Sequence, residues 1–346
     1  MESARQLTSL NSSALRSIAI ISIILHNYLH RLPGAAPENE FAYNIENDNY
    51  FLNAIFSSDF LIHFFSYWGH LGVPIFVFLS GYGLALKYNN QSTINHKRFF
   101  LSHYKKLFIP LLIGTTIFAV IEMIEGNSFH FFRFVTQSTM LLNLIYPYEL
   151  NISPIPYWYF GLTIQLYVLY QLLIYRKPFK YVAALTVVSI LFMGCLSTHY
   201  ELLKYSKCNI WGWMIPLSLG VFAARHPSVS LIPSRIRYAI ACLVCLIPVL
   251  LLCGRSYYLW LLTPAVVLPI SFCIVKIVPS TVWKFVKVVG DTSLWILVVH
   301  PIVREFFLPL SSYWGSWSVI PYVIITLVLA VLFKKLVSLF PLRKKG

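Results

Sequence analysis

His26 and His30 lie four residues apart in an apolar run that begins near residue 13, and Arg16 precedes the first of them by ten residues. On an α-helix, which rises about 1.5 Å and turns about 100° per residue, the two imidazoles stand about 6 Å apart on nearly one face. The guanidinium lies about 15 Å below them. An ionisable side chain in hydrocarbon is costly, so a cluster of this kind reads as a functional site. Two imidazoles facing one external cavity suit general-base removal of a proton from a hydroxyl near neutral pH. The plainer reading of one such histidine is an interhelical hydrogen bond, worth roughly 1 kcal/mol.

The elements that must position these groups are apolar throughout. The chain of 346 residues is 58% hydrophobic and only 11% charged, with a mean hydropathy of +0.70, which excludes most soluble classes. Runs long enough to span a bilayer occur near 13–29, 61–86, 107–124, 157–175, 181–197, 210–224, 238–253, 257–275, 291–308 and 319–340. The expected fold is therefore all-α: a polytopic membrane bundle of about ten transmembrane helices, with residues 1–346 forming a single membrane domain. With the N-terminus inside, 21 of the 27 lysines and arginines fall on inner loops and ten of the twelve acids on outer ones. The inner set includes Arg5, Lys87, Lys97, Arg98, Lys105, Lys106, Lys287, Lys334, Arg343, Lys344 and Lys345. The opposite orientation would invert the positive-inside rule, so both termini are expected in the cytoplasm. Because the basic charge is spread over these loops, a pI near 9.5 reads as topology and not as nucleic-acid binding.

Other signals are weak. The first apolar run lacks a convincing cleavage site, since Pro37 follows Gly34-Ala35-Ala36 and His26, His30 and Arg31 interrupt the approach, so it is expected to remain as a helix. Cys242 and Cys245 fall inside an apolar run and read as packing. The spacing of cysteines and histidines gives no zinc pattern, and no metal site is expected. The longest polar stretch, about 32–58, is rich in Asn and carries Glu38, Glu40, Glu46 and Asp48 on the outer side. No internal repeat of the kind that builds many transporters is visible.

Five blocks in order carry a resemblance to a known family. They are Arg16 with His26; Gly72-Val73-Pro74-Ile75-Phe76-Val77-Phe78-Leu79-Ser80-Gly81-Tyr82; the basic stretch from Phe100 through Lys105 and Lys106 to Pro110; Tyr157-Trp158-Tyr159-Phe160 leading to Gln165-Leu166-Tyr167; and Gly290-Asp291-Thr292-Ser293-Leu294 leading to Val299-His300-Pro301. Together they resemble the acyltransferase type 3 group of integral-membrane O-acyltransferases. The chain departs from the family pattern in having nine residues, not ten, between Arg16 and His26, and Pro74 where an Asp is common.

The resemblance implies a membrane O-acyltransferase, most simply an O-acetyltransferase. It would move an acyl group from cytosolic acyl-CoA, with acetyl-CoA the simplest donor, to a hydroxyl of a surface glycan or lipid-linked saccharide. The donor acts as co-substrate with no bound cofactor, and the setting implied is the bacterial cytoplasmic membrane. The candidate catalytic residues are His26 as base, Arg16 holding the donor, and His30. For donor and substrate binding the candidates are Arg98, Lys105 and Lys106, which suit phosphate, together with Ser80, Trp158, Gln165, Tyr167 and His300. Trp158, Gln165 and Tyr167 are expected to shape an acyl tunnel. The competing reading is a transporter or flippase of a lipid-linked or acylated intermediate, with the histidines as a proton relay.

Overall fold

The computed structural model describes residues 7–89, 91, 93–145 and 155–339. Arg5, Arg343, Lys344 and Lys345 of the inner basic set lie outside the described residues. The chain is all-α. In order, the α-helices are α1 (Ser9–Leu29), α2 (Ile45–Asn53), α3 (Phe60–Trp68), α4 (Gly72–Tyr88), α5 (His96–Ile124), α6 (Phe131–Ser138), α7 (Leu142–Ile145), α8 (Trp158–Leu169) and α9 (Phe179–Cys195). They continue with α10 (Tyr200–Lys207), α11 (Met214–Arg225), α12 (Ile236–Gly254), α13 (Tyr257–Trp260), α14 (Thr263–Ile277), α15 (Ser280–Phe307), α16 (Ser311–Trp314) and α17 (Val319–Leu339). Among the described residues, six helical stretches are long and apolar enough to cross a membrane, and four shorter apolar helices accompany them.

Helix α1 is the axis of the bundle. Thr8 caps it, its hydroxyl accepting from the Asn11 amide at 3.1 Å. The helix packs against α4 on one side and α15 on the other, with α3, α14 and α17 filling the remaining faces. The approach of α15 depends on Gly290: a Cβ there would lie 2.1 Å from the Ser13 carbonyl oxygen and 2.7 Å from its hydroxyl. Small residues let membrane helices meet at this distance, where van der Waals packing replaces the hydrophobic drive. The outward faces of α9, α12 and α17 expose Val187, Leu191, Val244, Ile324 and Val328, as expected of surfaces turned to lipid.

One expectation about element boundaries is refined and two require correction. The run 61–86 lies in one helical stretch, Phe60–Tyr88, within which Gly69-His70-Leu71 forms a 3-10 turn between α3 and α4 and re-aims His70. The basic stretch before residue 107 is not a loop, because Asn95 caps a helix that already starts at His96, so Arg98, Lys105 and Lys106 ride on the first turns of α5. The run 257–275 is broken between Trp260 and Thr263, where Pro264 starts α14.

The connection between α1 and α3 folds back over the C-terminal end of α1. Buried Asp48 on α2 accepts from Arg255 at 2.8 Å and from the Tyr67 hydroxyl at 3.1 Å. The Ser66 hydroxyl donates to the Ala36 carbonyl at 2.5 Å. These ties hold residues 36–48 against the outer end of α1.

Candidate functional site

His26 sits where α1 meets the α3–α4 break. It is 1% exposed. Its Nδ1 lies 2.9 Å from the Ser66 carbonyl oxygen and 3.3 Å from that of Phe65. Carbonyl oxygens only accept, so Nδ1 carries a proton and Nε2 is the nitrogen turned toward Glu40. That Nε2 lies 3.5 Å from Oε2 of Glu40. Gly69 makes the arrangement possible, since a Cβ there would lie 2.7 Å from the His26 Cβ and 2.8 Å from the Ser22 carbonyl oxygen.

Two further imidazoles surround it. His30 donates from Nδ1 to the His26 carbonyl at 2.6 Å, and the two rings stack at 4.7 Å. His70 meets the His26 ring edge-on at 5.3 Å. Burial and the neighbouring His26 hold the His30 pKa well below the usual imidazole value, which favours the neutral ring.

The two α1 histidines do not line one cavity, as their spacing had led us to expect. His30 borders a polar cleft of about 300 Å³, walled by Asn27, Glu38, Glu40, Tyr43, Asn47 and Lys204 among others. His26 borders a separate cavity of about 30 Å³ below it, with Ile23, His70, Val73, Phe76, Trp158 and Leu297. Asn27 and Glu40 belong to both walls, so the carboxylate facing His26 stands at the junction. Burial and the adjacent Glu40 carboxylate raise the Glu38 pKa. Nearby Lys207 is buried with its Nζ 4.1 Å from the Trp260 ring centre and 5.4 Å from that of Trp213. Burial pushes its pKa down to about 8, against the pull of Glu40.

The opposite end of α1 is wet. Arg16, with a side chain 39% exposed, pairs with Asp291 of α15 at 3.7 Å. Asp291 also accepts from Ser13 at 3.0 Å and from Lys287, while Lys334 donates to its backbone carbonyl at 2.7 Å. Arg98, Lys105 and Lys106 are exposed along α5.

The remaining candidates disperse. Trp158 lines the small cavity beside His26 and stacks on Trp213 at 5.8 Å. Gln165 turns away to bond Asn209 at 2.5 Å and borders an apolar groove of about 540 Å³ with Leu144, Val168 and Leu172. Tyr167 packs on His103 at 4.7 Å. These three therefore do not line one tunnel: Gln165 and Tyr167, two positions apart, point about 200° apart around the helix. The Ser80 hydroxyl donates to the Phe76 carbonyl at 2.9 Å. His300 is fully buried, donates from Nδ1 to the Ile296 carbonyl at 3.1 Å and borders neither the cleft nor the small cavity.

Sequence reasoning passed over Glu38, Glu40 and Lys207 as site residues. Their signal was compositional only: acids and asparagines gathered in one outer stretch. The absence of zinc spacing also needs qualification, since the fold brings ligand atoms of His26, Glu38 and His70 within 4.8 Å of one another.

A family profile described as Acyltransferase domain (acyltransferase 3) matches residues 10–335, a range that contains every site residue named above. No curated protein and no solved structure matches the chain.

Proposed function

From the premise that the chain belongs to the acyltransferase 3 family and is a membrane acyltransferase, we propose that it moves an acyl group from cytosolic acyl-CoA to a saccharide hydroxyl at the outer face, with His26 as general base. The observation that carries this reading is the Nε2 of His26, aimed by the Nδ1–H bond to Ser66, facing Glu40 and set beside the junction of a small cavity and a polar cleft.

The acceptor hydroxyl approaches from the cleft. Its proton passes to Nε2 as the oxygen bonds to the thioester carbonyl carbon. The carbon–sulfur bond then breaks, and the imidazolium returns the proton to the departing thiolate. Glu40, 3.5 Å from Nε2, stabilises the imidazolium in between. The amides of Asn27 and Asn47 and the ring of Tyr43 in the cleft suit a saccharide of a surface glycan or lipid-linked precursor, whose hydroxyls both donate and accept. The small size of the cavity beside His26, about 30 Å³, favours acetyl over longer acyl groups.

In this reading the six long and four shorter apolar helices make ten crossings of the bacterial cytoplasmic membrane, both termini inside. Arg98, Lys105 and Lys106 meet the phosphates of the donor at the inner mouth, and Arg16 lies along its route outward.

Mass spectrometry of surface saccharides from cells producing wild-type protein, His26→Ala or His26→Gln tests the proposal. Both variants should lose acylation at unchanged membrane levels, because Gln keeps a hydrogen-bonding group but takes no proton near pH 7. Near-normal acylation with His26→Gln would place the base elsewhere.

A further inference from the structure

We propose that His26, Glu38 and His70 form a binding site for a divalent transition metal of the zinc class. Their ligand atoms lie within 4.8 Å of one another. Two imidazole nitrogens and one carboxylate are a donor set that zinc takes in three-ligand sites, the fourth position going to water or substrate. Here the polar cleft of about 300 Å³, bordered by Glu38 itself, supplies access for that fourth ligand.

Two independent features fit a metal better than packing does. His70 is buried, yet its Nδ1 has no hydrogen-bond partner among the described residues. A buried polar atom left unmatched costs free energy, and a ring held by a metal has a use for its nitrogens. The second feature is the outer support of His26. Its Nδ1–H donates to the Ser66 carbonyl, which fixes the tautomer and aims Nε2, as backbone carbonyls do for histidine ligands of metals. Glu40 stands beside the site at 3.5 Å from that Nε2 and adds negative charge. Tetrahedral bonds of about 2.0–2.1 Å require the three side chains to draw together by rotamer adjustment. The imidazole donors select against magnesium and calcium, which prefer all-oxygen sites.

Metal and proton compete for one lone pair. If His26 is the general base proposed above, a bound zinc ion blocks transfer, and this consequence rests on that reading. The binding itself does not.

The test uses the full chain purified in detergent and stripped with chelator. Zinc chloride is titrated against a chromophoric chelator, cobalt(II) serves as a spectroscopic probe of tetrahedral geometry, and magnesium chloride is the control. The expected result is one zinc per chain and a tetrahedral cobalt spectrum, with no binding of magnesium. His70→Ala and Glu38→Gln, each checked for folding by thermal melt, should weaken zinc binding by more than about tenfold. Absence of stoichiometric zinc binding, or affinity unchanged in both variants, would overturn the site. Acyl-transfer assays with and without zinc then separate the two proposals: stoichiometric binding that leaves transfer uninhibited keeps the metal site and removes His26 as base.

Discussion

The two ends of α1 carry their ionisable groups in opposite settings. At the outer end His26 is sealed at 1% exposure between a carbonyl and a carboxylate. At the inner end Arg16 shares Asp291 with Lys287 and Ser13 in contact with solvent. Exposed ion pairs are worth roughly 0–1 kcal/mol, so the cluster at this end can be rearranged cheaply, which suits the entry of a polyanionic donor in the proposed function. A buried imidazole with one nitrogen fixed has no such freedom, and a general base gains from that. In the proposed function, one helix separates the charge that attracts the donor from the group that reacts.

The largest expected effect concerns sidedness and is all or none. In a background cleared of accessible native cysteines, Glu46→Cys should be labelled by an impermeant thiol reagent in intact cells and Thr93→Cys should not. Both positions are exposed. The reverse pattern would exchange the two ends of the comparison.

Next in size is Glu40→Gln, which keeps shape but removes the charge facing His26. Transfer should fall by about 10²-fold in kcat, an effect in the range of general-base assistance, with the apparent KM for the acyl donor unchanged. A raised donor KM at constant kcat would instead tie Glu40 to the donor.

Adjacent residues on α15 then separate packing from charge at the inner end. Gly290→Ala drives a methyl into the Ser13 backbone and should lower stability by about 1–3 kcal/mol, as overpacking does. Asp291→Asn loses partly exposed pairs and should cost about 1 kcal/mol or less. Thermal melts in detergent rank the two, and a larger loss for Asp291→Asn would contradict the account of the inner end as rearrangeable.

The contrast between the ends also explains what was legible in the sequence. Hydropathy found the apolar helices because span length is a local property, and the His26–His30 pair followed from helical spacing alone. Glu38 and Glu40 did not follow, because their place depends on the return of residues 36–48 over the bundle, held by contacts such as Ser66 to Ala36 and Asp48 to Arg255. His70 was hidden by the 3-10 turn, which no heptad or face count anticipates. The motif Gly290-Asp291 was read as a signature, whereas its physics is close approach plus an exposed charge.

The smallest expected effect lies at the inner mouth. Arg98→Ala and Lys105→Ala should each raise the apparent KM for acyl-CoA a few-fold with little change in kcat, since a phosphate contact is lost equally from ground and transition states. Unchanged donor dependence in both would leave these residues as topology determinants.

The central claim is that chemistry resides at the sealed end, and steady-state transfer by purified His26→Gln over a range of acyl-CoA concentrations addresses it most directly. The account predicts a fall in kcat of at least about 10²-fold with donor KM close to wild type. A near-normal kcat, or a loss confined to donor KM, would contradict it.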